Sequence, residues 1–300
     1  MRIELIRRPN PSPLFSAISP LLALAIMVLL GAVMFALLTP KGPDQILLLS
    51  DRVQFASRAL YTYFIEPLTE TWSIHELLIK AAPLILIAVG LSVCFLSNNW
   101  NIGAEGQFIA GAVAGSILPV VFPDFRGPLV LPIMLVMGVL GGMAYAAIPA
   151  ILKARFNTSE ILSSLMLVYV AQLFLDWIVR GPWRNPEGFN FPESRSFNAD
   201  AILPEIVSSS GRAHYGFVFA LIAAIVMWFM LNKTLKGFEI RVLGQSPRAG
   251  RFAGFSYSGT VMTTFLIAGG LAGLAGISEV SGAIGQLRPV VSPGYGFTAI

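Results

Sequence analysis

The sequence predicts an all-α protein that crosses a membrane repeatedly, a polytopic bundle with about seven to eight helices present. Three observations carry this. Hydrophobic residues make up 55% of the 300 positions and charged residues only 12%, about half the charged share of a soluble domain, and mean hydropathy is +0.74. The apolar residues fall in long blocks, and a hydrocarbon core takes roughly 20 of them per helix. No stretch has the dyad alternation of an outer-membrane barrel.

The first apolar run covers about 20–38 and follows Arg2, Arg7 and Arg8. The Arg7–Arg8 pair is like a twin-arginine signal, but prolines follow, the run is long, and no small-residue cleavage site ends it. An uncleaved first helix with a cytoplasmic N-terminus is expected. Residues 40–73 mix Asp44, Asp51, Glu66 and Glu70 with aromatics and leucines, as in an external, partly amphipathic connection along the interface. Further runs are expected at about 77–96, 108–122, 129–152, 161–179, 215–231 and 260–277. A long polar loop, 181–214, separates the fifth from the sixth.

Charge tests that count. If the chain starts inside, Lys153, Arg155, Lys233, Lys236, Arg241, Arg248 and Arg251 all fall inside, with Glu239 the main acid among them. The outer loops are mixed in sign. The positive-inside rule agrees with a count made without it. The net charge of +4 therefore reads as topology rather than as nucleic-acid binding. The chain stops at SPGYGFTAI as an apolar stretch begins, so further helices are expected beyond it, and 1–300 is expected to be a single transmembrane domain.

Two segments stand apart. Residues 97–107, SNNWNIGAEGQ, interrupt two apolar runs with Asn98, Asn99, Asn101, Glu105 and Gln107. They form either a cytoplasmic loop or a helix break within the membrane, where irregular backbone is tolerated only against protein or a water-filled cavity. Transporters build sites from such breaks, and an ionisable residue there is a functional candidate; Glu105 also suits a helix N-terminus. Residues 237–255, GFEIRVLGQSPRAGRFAGF, are too polar to cross a bilayer and too short for a domain. Ser246-Pro247 reads as a cap followed by a first-turn proline, predicting a short helix over 247–253 stopped by Gly254. This is the pattern of a cytoplasmic docking element, or of a basic helix on anionic lipid.

Other positions read as structural. Asn157 and Glu160 are spaced as a capping box. Ser163 and Ser164 either face a polar pathway or bond back to a helix carbonyl. Gly269 and Gly273 are spaced for close helix packing, and Glu279 at the end of that run either meets a buried partner or snorkels. Cys94 is a small buried hydrophobe. His75 and His214 fall in separate external loops with no metal spacing. No nucleophilic triad and no phosphate-cradling loop is present, so the chain is expected to be no enzyme, to hold no cofactor or metal, and, if ATP drives it, to rely on a different subunit.

These motifs together resemble the permease subunits of bacterial ABC importers for nucleosides and simple sugars. Residues 101–107, NIGAEGQ, are similar to that family's F-N-I-G-x-E-G-Q, with Trp100 replacing the aromatic. Residues 157–171, NTSEILSSLMLVYVA, and Gly181-Pro182-Trp183 continue the match, and 241–255 are similar to its R-A-x-G-x-N-P-x-A-A-R-x-A-G-I. Val168 and Ser246 stand where the family has Asn, and Gly250 where it has Ala, which should weaken the short helix by up to about 1 kcal/mol. The resemblance implies a multi-pass permease of the bacterial inner membrane. Its partners would be an ATP-binding subunit, a second permease chain that commonly differs from the first, and an external substrate-binding lipoprotein. It implies a translocation pathway near Asn98, Asn99, Asn101, Glu105, Gln107 and Ser163, and ATPase coupling through Arg241, Gly244, Ser246, Pro247, Arg248, Arg251 and Gly254. The N-I-G-x-E-G-Q version ranks nucleoside above simple sugar. An ion-coupled carrier with Glu105 as the titrating group is the alternative from another class, and a membrane scaffold a third.

Overall fold

The computed structural model describes residues 13–40, 48–206 and 212–300; Arg2, Arg7, Arg8 and Asp44, used above for topology, lie outside them. Among the described residues seven helices are long and apolar enough to cross a membrane, and the only β pairing is an isolated bridge between Glu205 and His214. The chain divides into two compact units, Met1–Ile74 and His75–Ile300.

The first unit contains α1 (Pro13–Leu37), α2 (Leu49–Leu60) and the short α3 (Glu66–Thr69). Leucine, isoleucine and methionine side chains on every side of α1 are exposed, as expected of a helix bathed in lipid. Asp51 accepts a hydrogen bond from Leu48 N at 3.1 Å and starts α2. Arg52 donates to the Ala36 carbonyl at 3.2 Å, and Phe35 stacks on Tyr63 at 5.6 Å between centroids. The connection expected between the first two runs is therefore mostly helical.

The second unit is built on α4 (Thr71–Leu96), α5 (Ala104–Val121), α6 (Val130–Phe156), α7 (Glu160–Arg180), α8 (Gly216–Lys233), α9 (Leu235–Gln245), α10 (Pro247–Phe252), α11 (Tyr257–Glu279) and α12 (Tyr295–Thr298). Helix α5 is its axis, with Phe108 and Ala112 fully buried. The sequence expectation for Gly269 and Gly273 holds. A Cβ on Gly273 would strike the Gly138 carbonyl of α6, and one on Gly269 would lie within 3.1 Å of the Gly142 backbone. Close approach without side chains lets dispersion and weak Cα–H contacts hold helices together where lipid supplies no hydrophobic drive.

These contacts also set directions. Gly111 meets Gly273 and Gly115 meets Ile277, so α5 runs parallel to α11. Gly90 meets Ala268 and the Cys94 thiol donates to the Thr264 carbonyl, so α4 runs antiparallel to both. One end of the unit thus gathers the end of α4, the α6–α7 turn, α9 and α10, with Lys153, Arg155, Lys236, Arg241, Arg248 and Arg251. The opposite end gathers the start of α4, residues 181–206 and the end of α11, where Ser194 N donates to the Leu287 carbonyl and Phe197 N to that of Gly285.

One expectation is corrected here. His75 is not in a loop; it is a buried residue of α4, which begins at Thr71. Hydropathy marks the width of hydrocarbon, and a helix continues beyond it into the polar interface wherever its backbone bonds are retained. His214 does lie outside the helices, buried beside Gly216, whose amide donates to its Nδ1 at 3.2 Å. Burial pushes its pKa down to about 4.

Candidate functional site

The break between α4 and α5 is a buried polar turn. Asn98 adopts φ +56°, a conformation Asn tolerates better than most residues. That lets the amides of Asn98 and Asn99 close α4 onto the carbonyls of Phe95 and Cys94, each at 3.0 Å. Asn98 itself is exposed, whereas Asn99 is buried and donates to Ser97 Oγ at 2.6 Å. Asn101 and Gln107 face one another as paired amides. Asn101 Nδ2 donates to Gln107 Oε1 and Gln107 Nε2 donates to Asn101 Oδ1, both at 3.0 Å. Asn101 Oδ1 also accepts from Gly103 N at 3.0 Å. A Cβ at Gly103 would sit 2.9 Å from the Ser164 carbonyl, so glycine permits α7 to close on the turn, and Ser164 Oγ accepts from Ile102 N at 3.2 Å.

The parallel register of α5 and α11 places Ala104 beside about residue 266, roughly 13 Å along α11 from its start. The turn is therefore set into the bundle, not laid across its end. Glu105 is buried there, and its Oε2 accepts from Gly296 N at 2.6 Å. After α11 the chain folds back alongside α5. Tyr295 lies 6.0 Å from Phe108, and its hydroxyl donates to Glu279 Oε1 at 3.3 Å. Two irregular segments, 97–103 and 285–294, thus approach Glu105 from opposite ends. Of the alternatives for Glu279, the buried partner is the one observed.

The basic segment is built as its sequence reads. Ser246 Oγ accepts from Ala249 N at 3.4 Å, Pro247 is the first residue of α10, and Gly254 follows at φ +83°. The residue before it, Ala253, is the helix cap, one residue short of the expected end. Upstream, 235–245 form a helix of their own, α9, capped by Thr234 Oγ1 from Gly237 N at 3.3 Å. The expected penalty at Gly250 is corrected. Gly250 is buried, and a Cβ there would crowd Leu243, so the residue that lowers helix propensity lets α10 fold back on α9.

Gly244 backs onto the end of α4. A Cβ on it would strike the Leu96 carbonyl and lie 3.0 Å from Ser97 Cα, so the basic segment and the buried turn are in direct contact. Glu239 ties α9 to α11 by accepting from Thr260 Oγ1 at 2.9 Å and from Lys236 Nζ at 2.8 Å. Burial alone would raise this carboxyl; the two hydrogen bonds and the Lys236 charge outweigh it and hold it below the usual range. Arg248 and Arg251 are exposed, Arg241 is half-buried, and Arg251 lies 5.8 Å over the Tyr257 ring. Phe252 projects beside them, 94% exposed.

Two readings of the 157–164 stretch change. Asn157 does not cap α7. It ends α6 at φ +51°, and Ser159 caps α7. Glu160 does not reach back to an Asn157 amide; it pairs with Lys153 Nζ and accepts from Trp100 N at 3.4 Å. A buried lysine from the preceding helix is a stronger partner than a backbone amide. Ser163 bonds back to the Ser159 carbonyl at 3.0 Å, while Ser164 is the serine that reaches the turn. Sequence reasoning missed Phe252, the tie between Glu239 and Thr260, and Tyr295 with Gly296. Only Phe252 carried a local signal, as an aromatic inside a basic surface helix.

Residues 73–300 match the family described as branched-chain amino acid transport system, permease component. Among curated relatives, the chain is 36% identical over 246 residues to a glucose ABC transporter permease protein of Haloferax volcanii, covering 79% of this chain and 64% of that protein. It is 32% identical over 210 residues to a guanosine ABC transporter permease protein of Bacillus subtilis, covering 70% and 60%. It is 30% identical over 220 residues to a nucleoside ABC transporter permease protein of Lactococcus lactis subsp. cremoris, covering 71% and 60%. The chain therefore spans a little under two thirds of the length of these relatives. No solved structure matches it.

Proposed function

The chain belongs to this family of permease components, a multi-pass membrane protein, and from that premise we propose that it is the permease subunit of an ATP-driven importer of nucleosides. In this reading 1–300 serve as one translocating domain in the bacterial inner membrane. The N-terminus and 237–255 are cytoplasmic and 181–214 are external. An ATP-binding subunit docks on α10, a second, different permease chain completes the pathway, and an external lipoprotein delivers substrate. The chain itself makes and breaks no covalent bond.

The observation that carries the reading is the mounting of α10. An exposed tip of Arg248, Arg251 and Phe252, started by Ser246-Pro247 and stopped by Gly254, sits on α9, whose Gly244 bears on the end of α4 at the buried turn. A force on that tip has a packed route to 97–107, since close-packed interiors transmit displacement rather than absorb it. Asn98, Asn99, Asn101, Glu105, Gln107 and Ser163 are assigned to the pathway as the polar residues of the turn and its neighbour. Asn101 and Gln107 hold its shape through each other, and Glu105 anchors the returning segment at Gly296.

Nucleoside is preferred over simple sugar on the NIGAEGQ turn and on two relatives named for nucleosides. Simple sugar is the second reading, favoured by the glucose permease at 36% identity. The test is the Arg241→Glu/Arg251→Glu variant with uptake of labelled guanosine and labelled glucose. Loss of the co-purifying ATPase together with loss of guanosine uptake is expected. Uptake undiminished without the ATPase would instead establish an ion-coupled carrier working alone.

A further inference from the structure

Besides the translocation machinery, the second unit carries a groove of about 470 Å³ between α5, α6 and α7. Its walls include Ile109, Val113, Ile117, Val170 and Phe174, and Trp183 closes one end. Trp183 also lines a second hollow of about 340 Å³, together with Val120, Pro182, Arg184 and Arg195. Trp183 thus borders both hollows. From Ile109 to Val121 along α5 is about 18 Å, close to one leaflet of a hydrocarbon core roughly 30 Å thick.

The charges at the far end are unusual for their surroundings. Arg180, Arg212 and Arg288, at the same end of the unit, each have a carboxylate within 4 Å, on Asp176, Glu76 and Glu193. Arg184 and Arg195 have none among the described residues. Both are exposed, and no acidic side chain lines either hollow. An apolar slot one leaflet deep, a tryptophan at its mouth and two unpaired guanidiniums beyond it are the parts of a lipid site. The indole suits the interface between tails and headgroups, and guanidinium forks bind phosphate oxygens in pairs.

We infer that this groove holds one acyl chain of an anionic glycerophospholipid whose phosphate lies between Arg184 and Arg195. With no carboxylate lining either hollow, the ammonium of a phosphatidylethanolamine or phosphatidylcholine headgroup would face two cations, whereas a phosphatidylglycerol headgroup adds no positive charge.

The test is native mass spectrometry of the full chain released from nanodiscs of equal parts phosphatidylglycerol and phosphatidylethanolamine. Retained phosphatidylglycerol should exceed phosphatidylethanolamine at least tenfold. Arg184→Ala/Arg195→Ala should abolish that preference. Ile117→Trp, which fills the groove and leaves both arginines, should lower retention of both lipids. Equal retention of the two lipids, or a preference unchanged by the arginine variant, overturns the assignment. So does high-yield photocrosslinking of a second permease chain from a benzoylphenylalanine placed at position 174 in native membranes, because the groove would then be a protein interface. None of these readouts depends on ATP or on transport.

Discussion

The two ends of the helical unit treat buried polar groups differently. At the turn between α4 and α5, Ser97, Asn101, Gln107 and Ser164 all have partners, and Asn99 Oδ1 finds none among the described residues. At the opposite end, His75 Nδ1, His214 Nε2, Ser278 Oγ and Glu279 Oε2 are buried without a partner among the described residues. A satisfied network fixes one geometry, whereas an unpaired buried group costs about 1–3 kcal/mol wherever it sits. The basic-segment end is thus the more tightly specified of the two, and the opposite end the less.

Acid should separate the ends most. With a folded pKa of about 4 against an ordinary 6.5, His214 contributes stability that is complete above about pH 6.5 and is lost as pH falls toward 4, because only the unfolded state takes up the proton in that interval. The loss is about 3 kcal/mol at most. Glu239, held below the usual carboxylate range of about 4.5, keeps its contribution down to about that pH and loses it only below it. Hydrogen exchange measured from pH 7 to 4.5 should quicken at 213–217 before it does at 236–240, and His214→Asn should flatten the first profile. Simultaneous quickening would erase the contrast.

A smaller effect is expected from the paired amides. Gln107→Leu leaves the Asn101 amide buried and half-paired and should cost about 2 kcal/mol in thermal unfolding in detergent. Adding Asn101→Leu should restore part of that loss, less the bond to Gly103 N. Strict additivity of the two changes would mean that the amides do not act as a pair.

The smallest effect, opposite in sign, belongs to the end away from the basic segment. Ser278→Ala removes a hydroxyl with no partner among the described residues and should leave stability unchanged or raise it by up to about 1 kcal/mol. A clear loss would show that Ser278 is satisfied by something outside the chain, and the two ends would then differ less than their internal bonding implies.

Much of the fold was legible in the residues. Long apolar blocks, the clustering of Lys and Arg on alternate connections, and the Ser246-Pro247…Gly254 frame are local signals. Desolvation of backbone in hydrocarbon, charge at the interface and a cap that reaches three residues ahead all act within a window a reader can scan. The same window misled at Asn157 and Glu160, where the spacing of a capping box was present but Lys153, seven residues back and on another helix, offered the better partner.

By itself, then, the sequence determined the class, the spans, the shared end of the basic connections and the existence of two polar interruptions. Only the tertiary structure decided what those interruptions touch. Glu105 meets an amide 191 residues away, Gly244 bears on Leu96, and Ser164 rather than Ser163 reaches the turn. Pairings of that kind follow from which helix faces close on each other, and in a bundle apolar on nearly every side the hydrophobic pattern does not choose the face. Glycines that admit another backbone, and the few polar groups that must find a partner, choose it instead.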